Sequence, residues 1–109
     1  MHYCGHKYLS AFMDREFGRK AGTRALKIGS GAGASARMLA ETYGVRVTGL
    51  DYTEGLNEVH RRINALCGIK TIEVIQADAT AYDPGLLKGH YDFVYSLLTI
   101  LHIEKRAAV

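Results

Sequence analysis

Three features of this 109-residue chain predict an α/β protein built on a doubly wound, mostly parallel sheet. Short apolar or β-branched runs alternate with segments of helical periodicity. A glycine-rich turn, Gly29-Ser30-Gly31-Ala32-Gly33, joins the first run to a helix. An acidic residue, Asp51, ends the second run 22 residues (51 − 29) after Gly29. The length allows one domain at most, and 48% hydrophobic with 23% charged residues is ordinary globular composition.

The elements follow in order. Residues 1–22 form an N-terminal helical segment, in which Leu9, Phe12, Met13 and Phe17 recur at helical spacing over about Leu9–Phe17. Residues 23–109 form the sheet-bearing part. Its first strand, Arg24–Ile28, runs into the glycine turn, and a helix from about Ala34 to Tyr43 stops at Gly44. Val45–Asp51 alternates as a strand. Leu56, Val59, Ile63 and Leu66 mark the apolar stripe of an amphipathic helix over Glu54–Cys67, closed by Gly68. Thr71–Gln76 is a third strand, and residues 80–90, with Pro84, are mostly loop. Tyr91–Ser96 is a fourth strand, and Leu98–Ala108 begins another helix or a lid.

Composition narrows the function classes. The formal charge is +3, and five of the fourteen basic residues fall between Arg15 and Lys27 without interleaved stacking aromatics. That cluster reads as a solvated helix face, with no nucleic-acid partner. Cys4 and Cys67 lack ligand-like spacing and read as reduced thiols. His2, His6, His60 and His90 have no partners at metal-ligand spacing, so no metal is expected. The first twenty residues are charged throughout, unlike a secretory signal. No apolar run approaches the roughly 18 residues that span a membrane, so a cytoplasmic protein with no membrane partner is expected.

In a doubly wound sheet, ligands sit beyond the carboxyl ends of the strands. Gly29–Gly33, Asp51, Asp78 and Ser96 all fall at such ends. The glycines keep side chains out of the space above the turn, so a ligand can lie on main-chain N–H groups. Asp51 stands where a carboxylate accepts hydrogen bonds from two ribose hydroxyls, or else serves as the acid at the next helix start. Tyr52 either covers an adenine face or packs as an ordinary aromatic.

Leu26–Gly33, Thr48-Gly49-Leu50-Asp51, Gln76-Ala77-Asp78-Ala79 and Tyr91-Asp92-Phe93-Val94-Tyr95-Ser96 keep the order and spacing of four motifs. Together they resemble the class I S-adenosylmethionine-dependent methyltransferases over about residues 24–109. Within that superfamily, Ser96–Ile103 is similar to small-molecule N-methyltransferases of the phosphoethanolamine and sarcosine/dimethylglycine type. The resemblance implies a Rossmann-like fold, S-adenosyl-L-methionine as cofactor and a small-molecule methyl acceptor, an amine. It implies cofactor binding by Gly29, Ser30, Gly31, Gly33, Asp51, Tyr52, Asp78, Ala79 and Ser96. Asp78 would receive the adenine amino group and the Ala79 N–H a ring nitrogen; the alternative for Asp78 is a capping role. Ser96 touches cofactor or substrate, or caps the next helix. His102 is the candidate catalytic base, a role suited to a side chain that titrates near neutrality; the alternative is a solvent-facing histidine at a helix start.

The chain departs from the family in three places. Lys27 stands two before the first glycine, where the family carries an acid near the methionine amino end. That lysine either points away or weakens cofactor binding. Leu98 occupies the place of an acid four before the histidine. Only about four strands of a seven-strand sheet are visible, so the chain reads as the N-terminal half of the fold. Such a fragment would leave an open edge and an uncovered apolar face, and thus a route to self-association. Two other functions fit parts of the pattern: a non-catalytic cofactor-binding or dimerisation remnant, and an NAD-dependent dehydrogenase whose glycine fingerprint is Gly29, Gly31 and Ala34.

Overall fold

The computed structural model describes residues 4–19, 22–78, 90–97 and 101–105. Its elements are α1 (Cys4–Glu16), β1 (Arg24–Ile28), α2 (Ala34–Met38) continuing into a π-helical turn (Leu39–Tyr43), β2 (Arg46–Asp51), α3 (Glu54–Leu66), β3 (Ile72–Gln76), β4 (Phe93–Leu97) and β5 (Leu101–Lys105). The strands form one sheet in the order β3-β2-β1-β4-β5. Strands β1 to β4 are parallel, and β5 runs antiparallel to β4. The chain moves outward from β1 to β2 and β3, then returns to β1's other side as β4. That reversal beside β1 makes the carboxyl ends of β1 and its neighbours the place where an open α/β sheet offers a crevice.

Alternation along the strands assigns the faces. Ala25, Val47, Phe93 and Tyr95 point to the helical layer and are buried with Leu9, Phe12 and Met13 of α1 and Ala36, Leu39, Tyr43 and Val45 of the α2 region. Phe93 anchors this core, with Phe12 edge-on at 5.1 Å and Phe17 stacked at 5.5 Å between ring centroids. The helical spacing of Leu9, Phe12 and Met13 thus marks the buried face of α1, as expected, while Phe17, in the turn just after the helix, packs partly buried against the same core.

Three expectations are corrected. The segment expected to begin a helix or lid at Leu98 contains strand β5 instead, so the sheet has five strands among the described residues. Its Leu-His-Ile-Glu-Lys alternates with period two, and an adjacent strand edge was available to pair with it. The apolar stripe of α3 faces the wrong way for the amphipathic reading: Leu66 is 87% exposed, Leu56 and Val59 each 42%. The helix instead buries Asn57, His60 and Asn64, which share the same three-and-four spacing about 100° further round. Finally, on the second sheet face Leu26, Thr48 and Leu50 are buried, so that face is not bare at these positions. The sheet edges are β3 and β5. The expected loop, with Pro84 and Ala79, lies largely outside the described residues.

Among the described residues no helix is long and apolar enough to cross a membrane. No group of three His, Cys, Asp or Glu gathers there as metal ligands would. Cys67 is a free, exposed thiol.

Candidate functional site

The turn after β1 is tied down at each step. Gly29, Gly31 and Gly33 have φ of 71°, 58° and 91°, a region that glycine enters without a Cβ penalty. The Ser30 N–H donates to the Leu50 carbonyl at 2.8 Å, and the Gly33 N–H to the Ser30 carbonyl at 3.1 Å. Asp51 then joins two turns: Oδ2 accepts from the Gly31 N–H at 2.8 Å and Oδ1 from the Thr53 N–H at 2.9 Å. A carboxylate has about four lone-pair positions, so each oxygen keeps capacity for one further donor.

Above this arrangement lies a crevice of about 270 Å³, lined by Ile28, Gly29, Leu50, Asp51, Tyr52, Ala77 and Asp78. It collects the ends of β1, β2 and β3. The Ala77 N–H donates to the Asp51 carbonyl at 3.1 Å, and the Gln76 side-chain amide to the Tyr52 carbonyl at 3.2 Å, which hold the third end in place. Tyr52 is 73% exposed, so its ring is available to a ligand. A larger cleft of about 510 Å³ runs between α3 and β3, beside Arg61, Asn64 and Val74. It has neither a carboxylate nor the glycine turn, so the smaller crevice is the candidate site.

The structure therefore brings Gly29, Asp51, Tyr52 and Asp78 together, and reaches Gly31 through Asp51. Ser30 and Gly33 are placed beneath the turn: Ser30 is buried, its N–H engaged by Leu50 and its hydroxyl 3.3 Å from His60 Nδ1. Ser96, half-buried near the end of β4, pairs in register with Ile28 on one side and His102 on the other. The two residues expected near the reacting atoms are thus cross-strand neighbours. Ala79 lies outside the described residues.

A polar layer under the turn was not legible as a functional feature. Lys27 is buried, with Nζ donating to Ser35 Oγ at 2.7 Å and lying 5.0 Å from the Tyr95 ring centroid. Ser35 Oγ is 3.0 Å from Tyr95 Oη. Lys27 thus points into the helical layer. Burial pulls its pKa down to about 8, against the attraction of Asp51. Burial likewise raises the Tyr95 phenol, opposed by its bond to Ser35. From α3, Asn57 donates to the Asp51 carbonyl at 3.1 Å, and Asn64 Oδ1 accepts from Arg37 at 3.1 Å. The spacing of Asn57, His60 and Asn64 was the signal that could have found this face.

Residues 25–109 match the family model of the methyltransferase domain. The chain is 32% identical over 107 residues to phosphoethanolamine N-methyltransferase 1 of Triticum aestivum, covering 96% of this chain and 20% of that protein. It is 38% identical over 87 residues to sarcosine/dimethylglycine N-methyltransferase of Halorhodospira halochloris, covering 77% of this chain and 30% of the relative. Among solved structures, phosphoethanolamine N-methyltransferase 2 of Haemonchus contortus, in complex with S-adenosyl-L-methionine, superposes with a TM-score of 0.69 at 26% identity over 83% of this chain and 20% of that one. The chain therefore spans between a fifth and a third of the length of these curated relatives.

Proposed function

The chain belongs to the methyltransferase-domain family, and on that premise we propose that it binds S-adenosylmethionine over the ends of β1, β2 and β3 as part of an enzyme that methylates a small-molecule amine. The observation that carries the cofactor assignment is the crevice in which Asp51, already anchored to Gly31 and Thr53, faces Tyr52 and Asp78. Its residues fit such a ligand. Asp51 keeps acceptor capacity for two vicinal hydroxyls. Tyr52 offers an aromatic face to a purine, Asp78 an acceptor for its amino group, and Ile28 and Leu50 an apolar floor. The amine acceptor is supported by the N-methyltransferases that the chain resembles.

When bound, the sulfonium supplies a methyl group activated for in-line displacement. The protein's part is alignment, and Asp51 would hold the ribose while it anchors the glycine turn. The register of Ser96 and His102 on adjacent strands, next to β1, supports their assignment to the acceptor side, with His102 as the group that takes the amine proton.

The test of the cofactor class is thermal denaturation with S-adenosylhomocysteine and, separately, NAD, since a ligand that binds only the fold raises its midpoint. A rise with the first alone is expected. A rise with NAD alone would replace the proposal with a dehydrogenase.

A further inference from the structure

His60 is fully buried, yet it is not part of the apolar core. Its ring lies where a Cβ on Gly33 would be, in contact with Cγ, Cδ2 and Nε2, and its Cε1 would stand 3.4 Å from a Cβ on Gly49. A Cβ on Gly49 would also meet Ser30 Oγ. Gly33 of the turn and Gly49 of β2 therefore leave room for this imidazole and the hydroxyl it touches, which fill the space under the turn.

The ring's polar contacts are one-sided. Nδ1 is 3.3 Å from Ser30 Oγ, and Nε2 is buried with no hydrogen-bond partner among the described residues. A buried N–H without an acceptor is costlier than a buried bare lone pair. We therefore assign the proton to Nδ1, donating to Ser30 Oγ, with Nε2 as the bare nitrogen against Gly33.

We infer that His60, without touching ligand, positions the glycine turn from below as a neutral imidazole, filling the space under Gly33 and holding Ser30 so that Gly31 and Asp51 keep their geometry. This inference rests on the cofactor assignment only for its effect on affinity. Neutrality is enforced by the surroundings. Burial lowers the pKa of His60 to about 4, aided by Arg37 of α2, Arg61 of α3 itself and Lys27 of β1. On the β2 side, Asp51 is occupied by the Gly31 and Thr53 N–H groups.

The test uses His60→Phe, which keeps a ring under Gly33 but cannot hold Ser30. Two readouts are needed: hydrogen exchange at the Gly31 and Gly33 amides, and calorimetric affinity for S-adenosylhomocysteine. Both amides are hydrogen-bonded in the fold. Exchange about tenfold faster and affinity about tenfold weaker are expected, the scale of one lost hydrogen bond to a buried group. Should His60→Phe not fold, His60→Ala with added imidazole takes its place, and restoration of both readouts by imidazole is expected. Nitrogen shifts of the wild-type ring at pH 6 should report a neutral, Nδ1-protonated imidazole. Unchanged exchange in His60→Phe, no rescue of His60→Ala, or a proton on Nε2 would each overturn the inference. Failure of the wild type to bind S-adenosylhomocysteine would refute the cofactor assignment alone, because amide exchange still tests His60.

Discussion

Replacing Lys27 by methionine should stabilise this protein at neutral pH. In the unfolded chain the ammonium keeps its proton up to about pH 10.5; in the fold it does so only to about 8, because burial disfavours the charge. Between those values the unfolded state holds more protons, so stability rises with pH. Below about pH 8 the full penalty is present. At 1.36 kcal/mol per pKa unit, that penalty is roughly 3 kcal/mol at pH 7. Methionine keeps the straight stem but gives up the charge-assisted bond to Ser35 Oγ at 2.7 Å, worth about 2 kcal/mol. The net gain is about 1 kcal/mol, or roughly 4–6 °C in midpoint for a domain of this size. Thermal denaturation of wild type and Lys27→Met at pH 7 and pH 10.5 measures it. The difference should favour the variant at pH 7 and vanish or reverse at pH 10.5. A variant less stable than wild type at pH 7, or a pH-independent difference, would show instead that Lys27 is a well-compensated cation.

Two further outcomes follow from the packing under the site. Gly49→Ala brings a Cβ against Ser30 and should cost about 1–3 kcal/mol in denaturant unfolding, as overpacking does; a neutral result would mean that Ser30 and His60 yield freely. On α3, Leu66→Lys should change stability by no more than about 0.5 kcal/mol, while Asn57→Ala should cost about 1–3 kcal/mol through the lost bond to the Asp51 carbonyl. The reverse order would place the apolar stripe of α3 inside after all.

The four parallel strands were legible because each is a short run of apolar, aromatic or β-branched residues bounded by glycine or a polar tip, and α1 because its stripe of Leu9, Phe12 and Met13 points to the core. The crevice was legible for the same reason: Gly29, Asp51 and Asp78 mark strand ends whatever the packing around them. The orientation of α3 was not. Hydrophobic periodicity assumes that a helix buries its apolar side, but α3 packs at the strand ends, where the backbone of Asp51 and the hydroxyl of Ser30 need polar partners. There Asn57, His60 and Asn64 outcompete leucine. Strand β5 escaped because five residues of alternating pattern sit inside a longer apolar run, in which local sequence alone does not separate strand from helix. Lys27 was noticed as a departure, but its direction depended on Ser35, across the glycine turn, and on Tyr95, far along the chain, which meet only in the fold.

Calorimetric titration with S-adenosylhomocysteine of wild type and Asp51→Ala tests the central claim most directly. The wild type should bind, and the variant should lose about 1–3 kcal/mol of affinity, the cost of removing a charged hydrogen-bond partner that also holds Gly31. Absence of binding by the wild type, or equal affinity in both proteins, would contradict that claim.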